Sequence, residues 1–425
     1  MVRFITVVLI LAASGFFNPL GTVSPQLSKF IYYGCALYGL LFFPVKTQVF
    51  NRLYPMKPYR MIIFGIIGAV VMATLFQEQS VSVSLMAVLP YLFGYLSFLV
   101  FMKSGMDEDA VKRLIAGLLC CSLFVYVVNF VTFPVMIFGN KDADNIDMSR
   151  GVMRIDVQYI DLFILSTFYG INQWLLSKKK KWLIVIGVSG LMIVLSVTRQ
   201  VIGITAIMGT LFLLKRLPFY KKAIFVVLMA IFVTVFLPKI PIYQALVETT
   251  ENQIERNDQK EDVRIREARF YSDEYQTNIF TRFLGNGIPS IGNSRWGNKF
   301  EMDISYYGYY SSDIGWIGFY WHFGLIAVVG VFIFLLKGAM VKKTADREYL
   351  TYYCYSIILL SVMSAPILIY TQIIDIMLVL YLIFRFQNGQ KITRYEYERK
   401  RIYGATDKPC GVRTVANPKQ LLNGT

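Results

Sequence analysis

Apolar runs of about twenty residues recur along this chain, separated by short basic loops, and they leave few folds open to it. A bilayer offers its interior no water, so each such run must close its backbone hydrogen bonds internally, as a helix. The 56% hydrophobic content and the mean hydropathy of +0.51 exclude an ordinary soluble core. The fold class expected is an all-α polytopic integral membrane protein.

Spans are expected at about residues 4–20, 27–43, 61–76, 85–102, 114–138, 157–176, 182–198, 201–214, 223–237, 314–336, 351–365 and 366–384, roughly twelve helices. Met1 to Leu20, with one Arg, an apolar run and AASG, resembles a signal peptide. The many spans that follow favour a first transmembrane helix instead. One large insert, Lys239 to Asp313, lies between the ninth and tenth spans and is the one place with room for a dedicated aqueous site. The chain thus divides into helices 1 to 9 (1–238), a loop domain (239–313), helices 10 to 12 (314–384) and a basic tail (385–425).

The formal net charge of +16 does not point to a nucleic-acid partner, because the basic residues sit in short loops beside the spans. Assigning alternate loops to opposite sides puts about 29 of the 43 Lys and Arg on one side. By the positive-inside rule that side is the cytoplasm, which holds both termini, and the 239–313 insert is extracytoplasmic.

The run Trp182 to Leu214 is too long for one untilted span and is basic at both ends, so it is expected to turn outside at Ser196–Gln200. Arg199 then sits at the outer mouth of the bundle, either facing it or snorkelling to the interface. The loop Gly139 to Asp161, with Arg150 and Arg154, lies on the same side, as a cover for the mouth or a solvated loop. Within the insert, Arg266 and Arg269 are spaced i, i+3 and share a helical face, whereas Arg264 would share one with Arg266 only on a strand. Asp262 and Glu267 interleave with them, as on a salt-bridged surface. Phe283 to Pro289 is a turn signal, and the tyrosines from Tyr306 to Tyr310 suit either a membrane belt or a surface for sugar rings.

Cys35, Cys120, Cys121 and Cys354 fall in spans and Cys410 in the tail, which argues against a disulfide framework. A single histidine, His322, and no clustered Cys argue against a zinc site, and His322 is expected to be a neutral packed side chain. Neither GxxxxGK[ST] nor a nucleotide-binding GxGxxG after a strand is present, and GNGIPSIGN is expected outside the membrane. Asp375, in the last span, is an acid of the kind transporters use, or else a polar contact for Gln372.

Three stretches carry a family resemblance. LSVTRQVIG around Arg199, RIREARFY followed by FLGNGIPS, and SSDIGWIGFYWHFGLIAVVG together resemble the Wzy polysaccharide polymerase and WaaL O-antigen ligase superfamily. Ligases of that superfamily carry His-Asn at the start of the last segment, eleven residues before a Gly-Leu-Ile; here Asp313 stands in that place, eleven residues before Gly324, which is closer to a polymerase. The resemblance implies a metal-independent, cofactor-free glycosyltransferase of the bacterial inner membrane. Its donor and acceptor would be undecaprenyl-diphosphate-linked glycans, with membrane lipids and a chain-length regulator as further partners.

In this reading Arg199, Arg266 and Asp313 are catalytic, Asp313 as general base or positioner of the acceptor hydroxyl. Arg264, Arg269, Arg150, Arg154, Tyr306 and Tyr310 bind substrate. Arginine suits a diphosphate because its planar fork makes bidentate hydrogen bonds. A ligase of the same superfamily and a lipid-linked glycan flippase are the rival readings, although a flippase would place charges along a central cavity rather than in the insert.

The topology is open to a direct check. Cysteines placed singly at positions 252 and 293 of a cysteine-free chain should react with an impermeant thiol reagent on whole cells, and those at 180 and 399 should not. Labelling at 399 without labelling at 293 would invert the arrangement.

Overall fold

The computed structural model describes residues 2–13, 25–42, 55–133, 146–147, 154–155, 157–196, 198–216, 263–275, 278–341 and 343–385, with a few isolated positions between them. Helices dominate. They are α1 (Val2–Ala13), α2 (Pro25–Phe42), α3 (Met56–Phe76), α4 (Val81–Ser104), α5 (Glu108–Val131), α6 (Ile160–Ser177), α7 (Lys181–Leu195) and α8 (Arg199–Arg216). After the insert's first part come α9 (Val263–Arg269), α10 (Ile279–Leu284), α11 (Arg295–Tyr307), α12 (Trp316–Met340), α13 (Tyr349–Met363) and α14 (370–385). Among the described residues the only ladder is a two-residue antiparallel pair, β1 (Ile146–Asp147) and β2 (Arg154–Ile155).

Helix is found within each expected span except 223–237, which lies outside the described residues, as does 14–20 of the first span; the fifth helix ends at Val131, short of 138. Four of them, α3, α4, α5 and α12, are long and apolar enough on their own to cross a bilayer. Their ends follow local chemistry. The side chain of Ser80 caps α4 by accepting from the Val83 amide, and Gly105 closes it in the left-handed conformation; Asp107 caps α5 by accepting from the Ala110 amide at 3.1 Å. The two arms of the expected hairpin are present as α7 and α8, which touch, but Arg199 and Gln200 open α8 rather than lie in the turn.

Two groups of helices surround α14. In one, α3 lies along α12, with α4 against α3 and α2 against α4; in the other, α6 packs on α7 and α13, and α8 packs on α13. Contact between α12 and α13 joins the groups. Every residue of α14 from Ile373 to Phe384 is buried, on all sides of the helix. Phe98 and Phe334 hold Phe384 with ring centroids 6.3 and 5.4 Å away, and the Tyr381 hydroxyl donates to the Met106 carbonyl at 2.6 Å.

Helices inside a bilayer associate through close packing, since lipid tails are as apolar as leucine, and small residues allow backbones to approach. On α3, a Cβ at Gly65 would lie 2.7 Å from the Ala327 Cβ; on α12, one at Gly330 would lie 2.9 Å from the Ile62 amide nitrogen and the Pro58 carbonyl oxygen. The two glycines therefore set the spacing of α3 and α12. Gly65→Val should destabilise the protein by about 1–3 kcal/mol, as overpacking does elsewhere. Gly117→Val on α5, where a Cβ meets nothing within 4 Å, should leave the unfolding temperature in detergent or nanodiscs unchanged. Equal effects of the two substitutions would remove the packing argument.

Candidate functional site: a broken helix and the loop that fills it

About a third of the way along, α12 is interrupted. Gly324 has φ 76° and ψ 173°, which releases carbonyls that the next turn would have bonded. The loop after α10 supplies the missing donors. The Asn286 amide donates to the Trp321 carbonyl at 2.9 Å, and the Gly287 amide donates to the His322 carbonyl at 3.0 Å. Asn286 also donates from Nδ2 to the Trp321 carbonyl at 3.2 Å.

So close an approach needs residues without side chains. A Cβ at Gly285 would fall 2.2 Å from the His322 oxygen, and one at Gly287 would fall 2.7 Å from the Ala73 Cβ. The segment expected to lie outside the membrane is thus wedged at its first residues between α3 and α12, with Gly285, Asn286 and Gly287 all buried. Non-helical backbone at such a position survives only where protein buries it and satisfies its hydrogen bonds.

Gln79, 1% exposed in the turn between α3 and α4, fixes the loop from its other side. Its Nε2 donates to the Ile288 carbonyl, while its Oε1 accepts from the Ser290 amide and the Ser294 hydroxyl. Gln77 donates to Asn286 Oδ1 at 3.1 Å. Ser294 in turn caps α11 by accepting from the Gly297 amide at 2.9 Å.

Above this wedge stands an aromatic layer of Phe270, Tyr271, Trp296, Phe300 and Trp321, with Phe300 and Trp321 stacked at 5.1 Å and 13°. Phe270 and Tyr271 open a single π-helical turn, Phe270–Glu274, that follows α9 directly. Burial, with Glu267 and Tyr275 close by, pushes the Tyr271 hydroxyl above the usual phenol range. It stays protonated and donates to the Tyr309 carbonyl at 3.0 Å.

Elements that adjoin this layer carry several of the residues expected to be functional. Arg264 and Arg269 on α9 are exposed, and Arg266 is half-buried with an Nε that makes no hydrogen bond. Glu267, 2% exposed, accepts from the Tyr310 amide through Oε1 at 3.0 Å. It therefore ties α9 to the chain just before the 3-10 turn Ser311–Ile314, against which α9 packs. Asp313 sits in that turn and is exposed. It does not cap α12: Gly315 holds the cap position with no side-chain cap hydrogen bond, and Asp313 Oδ1 accepts from the Ser312 hydroxyl at 3.3 Å.

Tyr306 and Tyr310 are 82% and 54% exposed. Arg199, half-buried, opens α8, which packs on α13 and α6; α13 also touches the Ser311–Ile314 turn. Arg199 and the α9 arginines therefore belong to elements joined through that turn and α13. Arg154 is located by its backbone pairing with Asp147, and Arg150 lies outside the described residues.

His322 is buried, as expected, but it is also engaged. Its Nδ1 lies 3.0 Å from the Gly287 carbonyl and its Nε2 2.9 Å from the Ser311 hydroxyl. A carbonyl only accepts, so this network assigns the ring proton to Nδ1 and leaves Nε2 to accept from Ser311. The wedge loop is thereby linked through one imidazole to the turn that carries Asp313. Nothing in the sequence marks this link, because Gly287, Ser311 and His322 meet only once α12 is broken.

The described part of the chain is a helical membrane protein whose insert is anchored in a discontinuous helix. Among the described residues no group of three or more His, Cys, Asp or Glu can hold a metal. No protein-family model matches the chain, and no curated protein matches it.

Asn286 tests the wedge. Asn286→Ala removes the bond from Nδ2 to the Trp321 carbonyl and leaves Gln77 without its acceptor, which should cost about 1–3 kcal/mol. Asp313→Asn, at an exposed site, should change stability by less than about 0.5 kcal/mol. Thermal unfolding of the two variants side by side checks both values.

Proposed function

We propose that the protein is a Wzy-type polymerase of a bacterial inner membrane, with about twelve spans, both termini cytoplasmic and the insert outside. It would join lipid-linked oligosaccharide repeat units there. The observation that carries this reading is the packing of α9 on the Ser311–Ile314 turn, which brings Arg264, Arg266 and Arg269 and the Asp313 carboxylate onto adjoining elements. The resemblance of these same stretches to the polymerase and ligase superfamily supports it further.

The chemistry asked of such a site is limited. An acceptor sugar hydroxyl attacks the anomeric carbon of the donor, its proton passes to Asp313, and the bond to the diphosphate oxygen breaks. The departing diphosphate needs its charge held rather than a proton supplied, and arginine forks hold it. Exposed Tyr306 and Tyr310 offer rings on which sugars stack.

Deleting the gene should leave single repeat units on the final acceptor, seen by gel. Loss of all attached glycan, with lipid-linked material accumulating, would mean a ligase or flippase. With purified protein and lipid-linked repeat units, Asp313→Asn should lose about two to four orders of magnitude in rate. Arg266→Ala should lose roughly 1.5–3 kcal/mol of donor stabilisation, and Arg266→Lys most of that. Parental rates in Asp313→Asn would remove the base from this reading.

A further inference from the structure

Far from the insert, residues of α5, α6, α7 and α14 line a cavity of about 350 Å³, a volume within the range of small-ligand sites. Its height in the bundle follows from α13. The backbone just after the Ser311–Ile314 turn meets that helix at Ser361 and Ser364, whereas the cavity reaches its first residue, Tyr349. From Tyr349 to Ser361 the helix rises about 18 Å, at about 1.5 Å per residue.

The lining changes character with depth. Along α5 it passes from Lys112 and Arg113 to Leu119, roughly 10 Å further in. Along α6 it passes from Tyr169 to Leu165, and Leu382 of the buried α14 contributes as well. Ser166, a small polar side chain in this wall, accepts from the Ser189 hydroxyl at 2.9 Å.

The rim is aromatic and cationic. Tyr169 stands edge-on to Trp182 and Tyr349, with ring centroids 5.4 and 5.1 Å away. Lys112 Nζ lies 5.9 Å from the centre of the Tyr169 ring and Lys181 Nζ 4.9 Å from that of Trp182, so both cations are held against the frame. The four lysines from Lys178 to Lys181 are exposed, and the turn they form between α6 and α7 contains no acid. Across the cavity, Glu108 is taken by Lys112 at 2.6 Å and Arg347 at 2.9 Å, and Glu348 by Lys215. Arg113 is exposed and donates from Nε to the Asp109 carbonyl at 3.3 Å.

An apolar slot with a positive rim fits a ligand that has a hydrocarbon end and an anionic end. Its setting favours a lipid, because α5 is the least enclosed of the four long apolar helices: 33% of its apolar stretch is buried, against 50% for α3 and α12. We propose that the cavity binds one anionic glycerophospholipid of the leaflet opposite the insert. Arg113 and the Lys178–Lys181 run hold the phosphate, and an acyl chain lies between α5 and α6. The lipid ties the most exposed of these spans to its neighbours. The proposal uses no residue of the insert and stands apart from the polymerase reading.

The test takes full-length protein, purified in detergent and stripped of lipid, and titrates it with phosphatidylglycerol or with phosphatidylcholine of the same acyl chains at fixed ionic strength. Native mass spectrometry should show one phosphatidylglycerol retained per chain. The unfolding temperature should rise with phosphatidylglycerol and rise less, or stay level, with phosphatidylcholine. The double variant Arg113→Gln, Lys181→Gln should bind phosphatidylglycerol roughly 10- to 30-fold more weakly. The control Lys57→Gln, Lys299→Gln removes two exposed lysines that do not line the cavity and should bind as the parent does. Ala116→Trp, at an exposed position of the lining, should keep the lipid-free unfolding temperature and lose the rise.

No retained lipid, equal rises with the two lipids, or equal weakening in both double variants overturns the proposal. A full rise with glycerol 3-phosphate alone overturns it by assigning the rim to a soluble anion. A dimer that holds no lipid does so by assigning the cleft to a second copy of the chain. Should Ala116→Trp fail to fold, the two double variants decide.

Discussion

The hydrogen bonds between the Asn286 and Gly287 amides and the carbonyls of Trp321 and His322 are the interaction on which the described architecture depends. A helix broken in an apolar setting exposes polar backbone with no water to receive it, so the break and its filling must arise together. Once the loop is seated, much else follows from its position. α10 is held against α3 and α12, Gln79 gathers the following residues, and Ser311 is drawn to His322. The insert is therefore continuous with the helices, sharing their packing rather than resting on them as a detachable cap.

Two kinds of close approach make that seating possible. At Gly65 and Gly330 the absence of side chains brings α3 and α12 together; at Gly285, Gly287 and Gly324 it lets backbone meet backbone. The second kind also requires positive φ, which adds a conformational reason to the steric one. Neither kind relies on the hydrophobic effect, which offers little between helices already in lipid.

Much of the helical plan was legible, because runs such as Met61–Phe76 and Leu85–Met102 are long, uniform and bounded by polar or basic residues. The α7–α8 turn could be read too, since a run basic at both ends has to come back. The interior of α12 could not. WHFGLIAVVG reads as unbroken apolar helix, and a glycine within such a run is equally compatible with close packing and with a break. Which of these it is depends on Asn286 and Gly287, some forty residues earlier. For the same reason His322 could be expected to be buried but not to join Ser311 and Gly287. The nearness of Asp313 to the span in sequence likewise does not convey that Gly315 takes the cap and leaves the acid in solvent.

α14 has one more consequence, which concerns the order in which the protein is made. The helix buried on every side leaves the ribosome only after both groups that surround it have been synthesised. Until residue 385 is translated the centre of the bundle lacks its occupant, and Phe98, Phe334 and the Met106 carbonyl have no final partners. The earlier helices must then wait in the membrane as a loose, partly assembled set, held open by lipid or by the insertion machinery. The centre of the bundle would close with the late arrival of one helix, and a nascent chain stalled before that point should be unusually exposed to membrane proteases.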